Sequence, residues 1–195
     1  LSGIIGSKFS PIKSLATLPM ALSIVGIAIF AIFAAKVMSI IGRRAGFMFA
    51  SIGSSISSLL AAYSIIIESF ILFNFSCFLL GAGVAFSHQY RFAAVETVKK
   101  DMAPKAISII LLAGIGSAFI GPNVANITKE FIAKHLYAGS YIALAVLTLI
   151  STIFLIFYKD GHQSNKITKK TTRSYSELIS QPRFLQALIA SAFAY

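Results

Sequence analysis

Charge is what this sequence has least of. Of its 195 residues, 12% are Asp, Glu, Lys or Arg, and only six of them are acidic. A soluble domain covers itself with roughly a quarter charged residues, so an ordinary water-facing surface is excluded. The few acids form no paired carboxylates and no His-Asp set, so an acid–base enzyme would lack its groups. One cysteine, Cys77, excludes an intrachain disulfide and leaves the redox compartment open. His88, His135 and His162 fall in three segments with no shared helical spacing, so neither a metal site nor a cofactor is expected.

What fills the chain instead is apolar. Hydrophobic residues make up 57% of it and the mean hydropathy is +0.84. Between successive charges lie five uncharged stretches: 14–35, 45–67, 69–90, 106–128 and 135–158, of 22, 23, 22, 23 and 24 residues. About 20 apolar residues cross a hydrocarbon core of roughly 30 Å as an α-helix. Five stretches of that one length predict an all-α, polytopic bundle with spans over 15–38, 47–67, 70–90, 106–127 and 136–158. Residue 1 is Leu, and residues 1–7, "LSGIIGS", read as the tail of an earlier span. Residues 185–195 read as the start of another, cut short, so the chain is expected to be a fragment, and a signal peptide cannot be assessed from it.

The net charge of +11 raises the question of nucleic acid, and its distribution answers it. With alternating spans, thirteen of the seventeen basic residues collect on one side: Lys36, Arg43, Arg44, four between Arg91 and Lys105, and six between Lys159 and Arg183. The other side holds Lys8, Lys13, Lys129 and Lys134. That asymmetry marks residues 39–46, 91–105 and 159–184 as cytoplasmic. In the basic linker 159–184, with "NKITKKTTRS" at 165–174, no aromatics interleave with the lysines, so membrane lipid is the expected partner and nucleic acid is not.

Within the spans, polar and small residues mark candidate sites. Ser51, Ser54, Ser55 and Ser58 share one helical face, the spacing of a close helix–helix contact. Asn74, Phe78, Gly81 and His88 lie near one another on the 70–90 span. An asparagine at that depth needs a partner or a wet cavity, and His88 falls near the cytoplasmic end. "GIGSAFIGPN" (114–123) puts Gly121 and Pro122 inside a span, where proline frees a backbone carbonyl and bends the helix.

These features together resemble the major facilitator superfamily of secondary transporters, over essentially the whole chain, from the end of span one to the start of span seven of twelve. The family's loop between spans two and three has the form G-x-x-x-D-R-x-G-R-[RK]. Here "AKVMSIIGRR" (35–44) keeps Gly42, Arg43 and Arg44, with Ala35, Ser39 and Ile40 in place of the first glycine, the acid and the first arginine. The fourth-span pattern R-x-x-x-G-x-G is matched by "CFLLGAG" (77–83), with Cys77 in the arginine's place. The Gly-Pro pair of the antiporters' fifth span is echoed at Gly121-Pro122, with Ala125-Asn126 where a glycine pair is usual. The block "HQYRFAAVE" (88–96) is similar to a bacterial subgroup of the superfamily.

The resemblance implies the N-terminal six-helix half of a transporter in the bacterial inner membrane. It implies a small-molecule solute carried by alternating access, with proton or ion coupling left open. It implies a gating loop at Gly42, Arg43 and Arg44, a translocation path at Asn74, Phe78, Gly81 and His88, and a hinge at Gly121 and Pro122. A non-transporting receptor or scaffold and an integral membrane enzyme stay as alternatives. Solute-dependent flux separates the first from both.

Overall fold

The structure, a computed structural model, describes residues 2–10, 12–158, 180–182, 185–186 and 190. Residues 1–164 form one compact unit and residues 165–195 a second. The described part of the second contributes a helical hydrogen bond, Leu185 N–H to the Gln181 carbonyl at 3.1 Å. The expected linker 159–184 and the expected span from 185 lie almost wholly outside the described residues.

Helices and the turns between them make up the described residues of the first unit. Helix α1 spans Ser2–Phe9, α2 Leu18–Ile41, α3 Arg43–Ile66, α4 Phe70–Ser87, α5 Tyr90–Thr97, α6 Ala103–Thr128 and α7 Ala138–Ile156, with short 3-10 turns at Lys13–Leu15 and Lys100–Met102. Five segments, those containing α2, α3, α4, α6 and α7, are long and apolar enough to cross a membrane. Pro19 and Pro104 sit in the first turns of α2 and α6, where a missing N–H leaves no bond unmade.

The loop expected over 39–46 is a single residue. Helix α2 runs on to Ile41 and α3 begins at Arg43, because Gly42 adopts φ 88°, ψ 161°. Only glycine enters that region without strain. Its N–H donates to the Met38 carbonyl and its own carbonyl accepts from Gly46 N–H, both at 3.1 Å. The reversal therefore closes one helix and opens the next with one set of backbone atoms. Likewise α4 stops at Ser87, short of the expected 90. After a turn at His88 and Gln89 the chain resumes as α5.

Helix α4 packs against α2 and α3; α3 also packs along α7, and α6 touches α7 and α5. Small residues set the α2–α4 approach. A Cβ on Gly26 would strike the Phe78 carbonyl oxygen, and one on Gly81 would strike that of Ser23. Hydroxyls set the α3–α7 approach: Ser51 Oγ donates to the Thr148 carbonyl (2.5 Å) and Ser55 Oγ to that of Ala145 (2.9 Å). Thr152 Oγ1 donates to Ser51 Oγ (2.9 Å). Water gives apolar helices no drive to associate inside lipid, so close packing and such bonds hold them.

Two clusters stabilise opposite ends. One joins Ile5, Ala61, Ile65, Phe73, Cys77 and Tyr141, with the Phe73 and Tyr141 rings edge-on at 5.7 Å. The other gathers Met38, Phe47, Ala93 and Leu155, with Phe47 stacked on Tyr90 at 4.2 Å. The first lies at the end holding the α3–α4 and α6–α7 connections. The second lies at the end carrying Gly42 and α5.

Candidate functional site

The arginine pair after Gly42 organises the second end. As the first residue of α3, Arg43 projects its guanidinium at α5. Its Nε donates to Glu96 Oε2 (3.0 Å) and its Nη2 to Glu96 Oε1 (2.6 Å). This is the parallel fork in which arginine and carboxylate match best. The remaining Nη1 donates to Gln89 Oε1 (3.3 Å) and lies 3.7 Å from Met38 Sδ. The pair is partly sheltered, with side-chain exposures of 18% and 29%.

Arg44 points elsewhere: its Nη2 donates to the Ile156 carbonyl (2.5 Å). A cation there sits on the negative end of the α7 dipole and satisfies an end-of-helix carbonyl. Two adjacent arginines thus tie α3 to α5 on one side and to α7 on the other. These bonds join helices from separate hairpins at this end.

The family's acid position in this loop is Ser39, and its hydroxyl donates to the Lys36 carbonyl (2.7 Å) rather than to an arginine. The acid comes instead from Glu96, which the sequence reading placed in a block without giving it a role. The one signal available was scarcity, since the chain has only six acids.

The four residues expected on the path do not converge. Gly81 and Phe78 belong to the α2–α4 seam, where the Phe78 ring meets Phe30 at 5.7 Å. Asn74 is buried at 6% exposure; its Nδ2 donates to the Phe70 carbonyl (2.8 Å), and its Oδ1 has no partner among the described residues. His88 is exposed at the end of α4, where its carbonyl accepts from Arg91 Nε (3.3 Å). Their neighbour Cys77, not among the expected path residues, lines a 350 Å³ cavity with Ser23, Gly121, Ala125 and Tyr141. A second space, 510 Å³ and almost wholly apolar, lies between α2, α3 and α4 beside Phe30 and Gly83.

Pro122 lies within α6, which continues through it to Thr128, and a Cβ on Gly121 would meet nothing within 4 Å. Among the described residues no three His, Cys, Asp or Glu side chains could hold a metal ion. The cavities are lined by hydroxyl, thiol and hydrocarbon groups, which can hydrogen-bond an uncharged molecule and offer no nucleophile–base pair.

Membrane-length helices, small-residue seams and one latched, basic end define a polytopic integral membrane protein. The sequence profile of the Major Facilitator Superfamily matches residues 1–195, and the chain belongs to that superfamily. Over its whole length it is 29% identical to the riboflavin transporter RfnT of Brucella anthropi, of which it covers 50%. It is 29% identical over 75% of its length to YddS of Bacillus subtilis, an uncharacterized MFS-type transporter, covering 34% of that protein. A second such transporter of that organism, YdeG, is 28% identical over 80% of the chain, which covers 37% of it. The chain therefore spans about half or less of the length of these relatives. No solved structure gives a significant match. All three relatives are named as transporters, one of them for riboflavin.

Proposed function

We propose that this chain is the N-terminal half of a secondary active transporter that moves a small, uncharged solute across the bacterial inner membrane by alternating access. The observation that carries the reading is the Arg43–Glu96 fork. It lies at the end that the positive-inside asymmetry assigns to the cytoplasm. A bidentate pair linking separate hairpins is a two-state element: made, it holds this end in one arrangement; broken, it releases it. Gly42, Arg43 and Arg44 form the gating element, with Glu96 as the acid it requires. Asn74, Phe78, Gly81 and His88 remain proposed for the path, and Gly121 and Pro122 for the hinge.

Riboflavin is the solute to test first, because a relative matched along the whole chain carries that activity in its name. An uncharged solute also suits the spans, whose complete interiors hold no carboxylate among the described residues. The test is riboflavin uptake into proteoliposomes containing the complete transporter. Time-dependent accumulation that collapses in Arg43→Ala supports the reading. Saturable binding without flux points to a receptor or scaffold.

A further inference from the structure

The exposed faces of most spans are hydrocarbon. Ile32 on α2, Phe49 on α3, Ile71 on α4 and Phe154 on α7 are each more than 70% exposed, which suits acyl chains. Helix α6 is different. None of its most apolar 18-residue window is buried, and its exposed surface includes two carboxamides, Asn123 and Asn126. Three residues apart, they share one side of the helix. Asn123 Nδ2 donates to the Phe119 carbonyl (2.7 Å), leaving its Oδ1 and one N–H unspent. The Asn126 side chain has no hydrogen-bond partner among the described residues. Pro122 brings no N–H to the Ala118 carbonyl one turn before it, which leaves a third polar group on this stretch.

Lipid does not fit that side. An amide moved from water to hydrocarbon without a partner costs roughly 4–8 kcal/mol, and two lie here within one turn. Nor is this the side α6 turns to its own bundle, since Gly121, Val124 and Ala125 occupy that face and line the cavity shared with α7. At comparable depth the exposed residues of α4 are Ile71 and Phe75, so nearness to the membrane surface does not by itself explain the carboxamides. Beside them Phe119 is 72% exposed, and a Cβ on Gly116 would meet nothing within 4 Å. The face is open and carries the two carboxamides next to that ring, with Leu112 and Ile115 exposed further along the same side.

We infer that Asn123 and Asn126 line the aqueous solute path and read the hydrogen-bonding edge of a neutral, planar solute, with Phe119 offering its ring to the solute's face. A carboxamide presents a donor and an acceptor in one plane, complementary to a lactam or imide edge, as asparagine is to adenine. No charge lies on α6 between Lys105 and Lys129, so the recognised group is uncharged. The inference rests on the transport reading above and adds the residues that select the solute.

Two measurements on the complete transporter test it. In a Cys77→Ala background, Asn123→Cys and Asn126→Cys should react with a charged, membrane-impermeant methanethiosulfonate, while Phe75→Cys should not. Failure of both asparagine sites to react faster than Phe75→Cys overturns the inference, whatever solute the protein carries. The second measurement compares riboflavin with its N3-methyl derivative, which lacks the imide N–H. Wild type should prefer riboflavin by roughly tenfold or more, and Asn123→Leu or Asn126→Leu should erase the preference. Preference kept in both variants overturns carboxamide recognition. If wild type moves no riboflavin but both cysteines react, the flavin assignment falls and the polar wall of the path stands.

Discussion

Arg43 and Glu96, 53 positions apart in sequence, meet through two parallel hydrogen bonds of 3.0 and 2.6 Å. That relationship explains why so acid-poor a chain keeps a glutamate there. Arg43→Ala and Glu96→Gln should each leave insertion intact, because the other cytoplasmic positives still fix orientation. Each should lower transport, since a gate contact of about 1–3 kcal/mol shifts an equilibrium roughly 5–150-fold. Arg43→Lys should rescue only partly, because an ammonium cannot make the planar fork. Initial uptake rates at equal membrane abundance decide this. Full activity in Arg43→Ala would reduce the arginine to a topology anchor.

The α2–α4 seam gives a prediction about stability. Gly81→Ala puts a methyl group against the Ser23 backbone oxygen, and Gly26→Ala puts one against that of Phe78. Neither obstacle is a flexible side chain, so the helices must separate, at a cost of about 1–3 kcal/mol. Thermal unfolding of the detergent-solubilised protein should shift down for both. Gly53→Ala on α3, where a Cβ meets nothing within 4 Å, serves as the control: it gains helix propensity of about 1 kcal/mol with no clash, so its transition should not fall and should rise slightly. An unshifted transition in Gly81→Ala would show that the seam takes up a methyl group without cost.

Orientation is tested separately. Ser39 and Thr17 are both exposed and lie at opposite ends of α2. In a Cys77→Ala background and intact cells, Ser39→Cys should resist an impermeant thiol reagent and Thr17→Cys should react. The reverse pattern would invert the assignment of sides.

How much of this was legible in the sequence depended on range. The five long helices could be read because the distance between charges matched the thickness of hydrocarbon, a constraint that acts locally. Their ends could not: Lys36 lies within α2 and Arg43 within α3, because long basic side chains reach polar surroundings from inside a helix and Gly42 alone turns the chain. Glu96 escaped as a partner because no local spacing links it to Arg43; tertiary packing does. The serines of α3 were legible as a packing face, and Ser51 and Ser55 do bond across to α7. Asn123 and Asn126 stayed silent because which face of α6 is left open follows from how α7 and α5 dock against it.

Pro122 leaves a gap in the hydrogen-bond ladder inside α6. Because a Cβ at Gly121 meets open space, Gly121→Ala disturbs no contact, and any effect must pass through the helix itself. Alanine for glycine favours a helix by about 1 kcal/mol, and replacing an interior proline restores a hydrogen bond and removes a clash, together about 3 kcal/mol. The double variant Gly121→Ala, Pro122→Ala should therefore make α6 stiffer and the protein more resistant to heat. If exchange between inward- and outward-open states bends α6 here, turnover should fall while the solute concentration at half-maximal rate changes little. Stability and turnover would then move in opposite directions, which a lost contact cannot produce. A variant that is more heat-resistant and transports at the wild-type rate would leave Pro122 as a static bend and move the hinge elsewhere in the bundle.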